Sequence, residues 1–195
     1  QVQVFVENKP GANSIIGTEI LAKSPPDGYS IILVPSSHAI NQSLYPKMPY
    51  DAVRDFAPVT LAGSTPVLLG VGAATPVNNL REFITMAQAR PAPLTYSTAG
   101  NGSSGHLAAV LLALTAGIRL QHVPYKGTAP AVTALLGGEV DIASVPPTTL
   151  LPHIRSGKVK PVGMGSAQRS PAAPDIPTLA EQGLAGFEAS VWYGL

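Results

Sequence analysis

The sequence predicts an α/β fold on mainly parallel sheets, and three observations lead there. Short β-type runs alternate with helix-patterned segments along the chain, the signature of strand–helix units. Residues 29–34 (YSIILV) form an almost continuous apolar run, as strands covered on both faces do. Residues 94–118 (LTYSTAGNGSSGHLAAVLLALTAGI) pass from a β-type run through a loop of small residues into a long apolar helix pattern. No internal repeat of fixed period is visible.

Taken in order, residues 2–6 read as a strand, 14–22 as a helix, and Asp27-Gly28 as the turn into the strand 29–34. Residues 38–44 read as a short helix, and 56–61 and 67–71 as strands with Gly63-Ser64-Thr65-Pro66 between them. The helix over 79–88 places Leu80, Phe83, Ile84 and Ala87 on one stripe at i, i+3, i+4, i+7. After the strand 94–97 come a buried helix over 107–116, a strand over 120–123, a helix over 129–136 and a strand over 139–144. A helix over 149–156, a strand over 159–164, a helix over 178–182 and a strand over 187–193 complete the reading.

Composition excludes several classes. Of 195 residues, 45% are apolar and 12% charged, about half the ~25% usual in globular proteins. The chain can bury a core, and its net charge of +1 comes without a basic patch to follow a phosphate backbone. Nucleic acid is not the expected partner. With no cysteine there is neither a disulfide framework nor a thiolate metal site. The longest apolar run, 107–118, falls short of the ~20 residues that cross a bilayer, so no membrane insertion is expected. The chain opens without Met inside a strand-like run and stops at Trp192-Tyr193-Gly194-Leu195, which suggests a piece of a longer protein.

The loop before the apolar helix is the richest candidate site. Gly100, Gly102 and Gly105 are spaced G-x-G-x-x-G, and Ser97, Thr98, Asn101, Ser103, Ser104 and His106 add side-chain donors. Uncovered amides at a helix N-terminus attract an anion. One reading is a dinucleotide site, which needs an Asp or Glu about 20 residues on. No acid stands between Glu82 and Glu139, and the next strand runs out at Tyr125-Lys126-Gly127. Lys126 keeps an NADP-binding oxidoreductase open as an alternative. A plain strand-to-helix turn is the second reading, and a carboxylate seat the third.

Several stretches favour the third. They are Val6-Glu7-Asn8-Lys9-Pro10-Gly11-Ala12, Pro26-Asp27-Gly28-Tyr29, His38-Ala39-Ile40-Asn41 and Asp55-Phe56-Ala57-Pro58-Val59. The loop from Ala99 to His106, then His122-Val123-Pro124-Tyr125-Lys126-Gly127, Leu135-Leu136-Gly137-Gly138-Glu139 and Pro174-Asp175-Ile176-Pro177-Thr178 follow in order. On these the chain resembles the Bug family, the substrate-binding proteins of tripartite tricarboxylate transporters. The resemblance implies a periplasmic protein with the type II periplasmic-binding fold, two α/β domains joined by crossing strands. It places residues 1–65 with 189–195 in an incomplete first domain and 66–188 in a second. It further implies capture of a small carboxylate between facing loops, the second-domain loop matching 97–106, and delivery to membrane components of the transporter. The first-domain partner loop and the closing helices have no counterpart in these residues.

Other candidates lie where ligands of open α/β sheets gather, beyond strand C-termini. Ser36, Ser37 and His38 follow one strand, Tyr125 and Lys126 another, and Thr148 a third. Two stretches depart from the family: Ser144-Val145-Pro146-Pro147-Thr148 stands where an Asp-Asn pair is common, and Asn13-Ser14 replaces glycines.

No enzyme is expected. His38, His106, His122 and His153 lack metal-ligand spacing, Ser104 and His106 miss the nucleophile-elbow pattern, and no cofactor is called for. His122 reads as a satisfied strand residue. Effector domains of transcription regulators share the two-domain fold and bind small carboxylates, but come joined to a helix-turn-helix that these residues do not contain.

Overall fold

A computed structural model describes residues 3–195. Helix α1 spans Ile15–Ala22, the two-residue strand β1 Val34–Pro35, and α2 Ser37–Leu44. Strand β2 (Leu61–Pro66) runs through Val67 directly into β3 (Leu68–Gly72). Then come α3 (Leu80–Ala89), β4 (Leu94–Thr98), α4 (Ser104–Ala116), β5 (Leu120–Pro124) and α5 (Thr128–Leu136). Strand β6 (Ile142–Val145), α6 (Pro147–Arg155), β7 (Val159–Met164) and β8 (Ser190–Gly194) complete the order.

The strands form two sheets, one of three strands ordered β1-β8-β2 and one of five ordered β5-β4-β6-β3-β7. The α/β expectation holds, but the sheets are mixed rather than mainly parallel. In the larger sheet β4 pairs parallel with β5 and β6, whereas β3 runs antiparallel to β6 and β7. The smaller sheet is antiparallel, with Thr65 opposite Val191 and Pro66 opposite Ser190. The cause lies in connectivity. A parallel neighbour needs a crossover helix, while β3 enters the larger sheet straight from β2 and so points the other way. Strand β8 returns beside it, and the crossing is tied by Val67 N–H to Ala189 O (2.9 Å) and Gly165 N–H to Val67 O (2.8 Å).

Two apolar layers sandwich the larger sheet. Leu80, Phe83, Leu94, Leu112 and Ile142 fill one, and Ala131, Leu135, Val145, Leu150 and Met164 the other. Helix α3 earns its place through the predicted stripe, with Leu80, Phe83 and Ala87 buried. Its N-terminus is closed reciprocally: Asn79 Oδ1 accepts the Glu82 N–H (2.9 Å), and Glu82 Oε2 accepts the Asn78 N–H (2.8 Å). Asn79→Ala is therefore expected to cost about 1 kcal/mol, read as a lower urea midpoint with an unchanged m-value.

Several expected elements differ. Of the strand expected over 2–6, Val2 lies outside the described residues, and residues 3–6 are irregular, with Phe5 79% exposed. The strand expected over 29–34 shrinks to β1, leaving Ile31 67% exposed. An apolar run becomes a strand only where a neighbour accepts its hydrogen bonds, and β1 finds β8 alone. The first crossing begins at Leu61 rather than at residue 56 and absorbs the presumed 63–66 turn. Helix α4 is not wholly buried: Ala108, Ala109 and Leu112 face the core, while Leu107, Val110, Leu111 and Leu114 face outward. The helix expected over 178–182 is a set of turns, because Thr178 bridges to Met164 and Gln182 donates to Val162 O (2.8 Å).

Candidate functional site

The glycine loop leaves β4 at Thr98 and enters α4 at Ser104, and its own groups set its shape. Thr98 Oγ1 accepts the Gly100 N–H (3.1 Å) and donates to Gly100 O (3.1 Å). Ser103 N–H donates to Gly100 O (3.3 Å), and Ser103 Oγ caps α4 by accepting the His106 N–H (3.2 Å). Leu107 N–H makes the first helical bond, to Ser103 O. The Ser104 and Gly105 amides are thus the N-terminal donors of α4 for which the described residues supply no acceptor. Asn101 is exposed at the tip and Gly102 is buried.

Helix α2 lies across this loop. Ser36 Oγ and Ser104 Oγ are 2.6 Å apart, so the N-termini of α2 and α4 meet although they belong to different sheets' surroundings. A Cβ on Gly102 would stand 2.5 Å from Leu44 Cδ2 and 3.0 Å from Asn13 Nδ2. Asn13 in turn donates to Asn41 Oδ1 (2.8 Å) and its carbonyl accepts from Asn41 Nδ2 (2.9 Å). Ala12, Asn13 and Ser14 hold left-handed φ of 46°, 52° and 74°, a run that endures only where its surroundings fix it. The Asn13–Asn41 pair does that fixing.

The first turns of α2 and α4 contain no acidic residue, and α2 has no side-chain cap. Ala39 and Ile40 N–H both turn to Ser36 O, which leaves the Ser37 and His38 amides without an acceptor among the described residues. Ser37 Oγ is likewise buried without a hydrogen-bond partner among them. Two helix N-termini and two serines therefore converge on one place with unspent donors. Such a site suits an anion.

The remaining candidates divide. Tyr125 N–H donates to Thr98 O (3.2 Å) and Gly127 N–H to Ala99 O (3.2 Å), so the Lys126 loop flanks the glycine loop with Lys126 exposed. The Tyr125 hydroxyl points elsewhere, to Glu139 Oε2 (3.3 Å), and partial burial with that carboxylate raises its pKa. Ser144 Oγ donates to Gly105 O (2.8 Å), bringing the end of β6 alongside, with Thr148 exposed in the first turn of α6. Ser97 is fully buried and spends its hydroxyl on Ala131 O (2.8 Å), tying β4 to α5. The His38 ring is also engaged: Nε2 donates to Ala52 O (2.9 Å), and the ring stacks on Tyr50 and meets Phe56 edge-on.

Beneath the loop, His106 stacks on His122 with ring centroids 4.2 Å apart, and Tyr96 joins the cluster, 4.8 Å from His122 and 6.5 Å from His106. His122 Nε2 lies 2.7 Å from Thr98 Oγ1, the satisfied role expected of it. Burial and the neighbouring His106 push the His122 pKa down to about 4, and burial lowers that of His106. Sequence reasoning passed over Asn41, Leu44 and Tyr96 as parts of the site. Only the Asn13-Ser14 substitution carried a signal toward the first of them.

Two unequal sheets joined by β2–β3, with β8 returning beside β2 and a glycine loop and two helix N-termini brought together, give the chain the architecture of the periplasmic binding proteins. The periplasmic binding protein BugD superposes on it with a TM-score of 0.89 at 37% identity, over 96% of this chain and 63% of that one. The family model described as "Tripartite tricarboxylate transporter family receptor" matches residues 1–195, and the chain belongs to that family. Protein BugT of Bordetella pertussis (strain Tohama I) is 38% identical over 196 residues, 98% of this chain and 60% of BugT. The R. palustris protein Rpa4515, solved with adipate, superposes with a TM-score of 0.89 at 34% identity, over 94% of this chain and 62% of its own. The chain spans 58–60% of the length of the curated relatives it matches first.

Proposed function

We propose that this chain captures a small carboxylate for a tripartite transporter and seats it between the N-termini of α2 and α4. The observation that carries this reading is the 2.6 Å approach of Ser36 Oγ to Ser104 Oγ. It gathers the amides of Ser37, His38, Ser104 and Gly105 with the Ser37 hydroxyl, all donors and none charged. Oriented amides at two helix ends supply the positive potential that a carboxylate needs. The exposed Lys126 stands on the flanking loop, suited to a second carboxylate of a longer ligand. The adipate in Rpa4515 supports a dicarboxylate class.

In this reading residues 1–65 with 189–195 form one lobe and 66–188 the other, hinged where β2 becomes β3 and β8 returns. Closure of the lobes over the ligand would present an occupied face to the transporter's membrane components in the periplasm. No helix among the described residues is long and apolar enough to cross a membrane. The chain itself carries out no chemistry on its ligand.

The test is thermal stability of the natural-length protein against malate, adipate, citrate, aspartate and benzoate, with NAD and NADP included. A ligand at 100 times its dissociation constant adds about 2.7 kcal/mol, worth several degrees. A shift with a carboxylate and none with dinucleotides is expected. A shift with NADP alone would sink the proposal and turn Lys126 and the glycine loop into a cofactor site.

A further inference from the structure

We infer that His106 is the positioning residue of the glycine loop, holding it ligand-ready only while the His106–His122 stack is neutral, so that acid unlocks the seat. The inference rests on the carboxylate reading above for what the loop does, and on separate geometry for how it is held. Gly102 N–H donates to His106 Nδ1 (3.2 Å), which requires that this nitrogen carry no proton. The proton of the neutral ring then sits on Nε2. His122 holds the same loop from the other end: its Nε2 engages Thr98 Oγ1 (2.7 Å), the hydroxyl that both accepts from and donates to Gly100. Two stacked imidazoles thus fix both ends of the anion loop from below.

A proton on either ring disturbs this arrangement. On His106 Nδ1 it replaces the acceptor of Gly102 with a donor, leaving two N–H groups face to face. On His122 it places a charge 4.2 Å from the His106 ring centre in a half-buried layer. Nothing nearby compensates. From β4 the titratable group is Tyr96, held neutral with its pKa pushed up to about 12 by burial. From α2 the loop meets Leu44 and Asn41, and from β6 Ser144, none of them charged. No carboxylate among the described residues acts on either imidazole.

The sign follows from linkage. The bond from Gly102 N–H to His106 Nδ1 exists only while that nitrogen is unprotonated, whereas an opened loop leaves it free to take a proton. The open form therefore binds more protons, and the closed form loses ground as pH falls through the range of an ordinary imidazole. One such proton weakens closure about tenfold for each pH unit in that window.

The experiment reads amide-exchange protection of Gly102 in the ligand-free, natural-length protein between pH 7 and pH 5, corrected for intrinsic exchange. A fall of up to about tenfold per pH unit on the acid side of an ordinary imidazole's range is expected, with the His106 ring still largely neutral where the fall begins. His106→Asn offers an oxygen near the Nδ1 position and cannot titrate, so Gly102 should stay protected at pH 7 and the acid slope should flatten. His106→Leu should lose Gly102 protection at every pH, while amides of β4 and α3 report that the fold persists. An unchanged acid slope in His106→Asn, or wild-type protection in His106→Leu, overturns the inference. The readout needs no ligand, so a protein that answers to no carboxylate would sink the proposed function separately and leave this result intact.

Discussion

Gly105→Ala is expected to destabilise the protein by about 3 kcal/mol, the largest stability effect of any single methyl group on this loop. A Cβ at this position would lie 2.0 Å from Ser144 O and 3.0 Å from Ser144 C. Those are backbone atoms of β6, which is held between β4 and β3 in the larger sheet. A side chain could rotate away, but a central strand cannot move without breaking its ladders. Helix α4 must then rise from the sheet, and it carries Ala109 and Leu112 of one apolar layer with it. The movement also breaks the Ser144 Oγ bond to Gly105 O, leaving a fully buried hydroxyl without its acceptor. Gly63→Ala is the control, since nothing stands within 4 Å of its Cβ position; it should change stability by less than about 0.5 kcal/mol. Urea unfolding of the two variants measures the difference. Equal midpoints would mean that α4 does not touch β6 as described.

What the sequence made legible follows the range of the forces involved. From Leu80 to Met164 the helices and strands lie close to where periodicity puts them, because each strand–helix unit buries its own stripe on the sheet beside it. Phe83 needs no distant information to face inward. Strand direction is different. Whether β3 runs with or against β6 depends on its entering from β2, a connection between sheets that no local pattern encodes. The segment around Thr178 failed for a related reason: Gln182 has its partner at Val162, and that tie overrides a weak helical preference.

At the site, loop chemistry was visible and side-chain allegiance was not. Glycines and serines at 97–106 mark the loop as the candidate anion seat, and the structure brings Ser36 to Ser104 beside it, at the C-terminal ends of two strands. His38 stands in the same short stretch, yet Tyr50 and Phe56 claim its ring from positions 12 and 18 residues away. Ser97 sits one residue before the loop and is claimed by Ala131. His106 reads from the sequence as a ligand donor or a local cap with equal weight; its Nδ1 accepts from the loop itself, which leaves Nε2 as its donor. Residue type identifies what a group can do, and only packing decides which neighbour it does it with.

Gly102→Val should abolish carboxylate binding, weakening it by about a hundredfold or more, while the larger sheet remains folded. Two costs fall on the same residue. Its φ of +75° is a left-handed conformation that a β-branched side chain adopts only under strain. Its Cβ would also meet Leu44 Cδ2 at 2.5 Å and Asn13 Nδ2 at 3.0 Å, both from the segment that covers the loop. Either the loop refolds or α2 lifts away, and both outcomes separate Ser36 from Ser104. The cores built on Phe83, Leu112 and Leu150 are not touched, so unfolding should stay cooperative with a loss of about 2 kcal/mol or less. The two costs can be told apart, because Leu44 Cδ2 is the end of a flexible side chain whereas the φ strain is not relieved by any neighbour. Gly102→Ala combined with Leu44→Ala should therefore recover part of the affinity that Gly102→Ala loses alone, and Leu44→Ala should recover a smaller share for Gly102→Val, whose branched side chain bears more of the φ strain. Calorimetric titration of the four variants with the carboxylate that raises the melting temperature measures this. Wild-type affinity in Gly102→Val would remove the loop from the site and leave the N-terminus of α2 to hold the ligand without it.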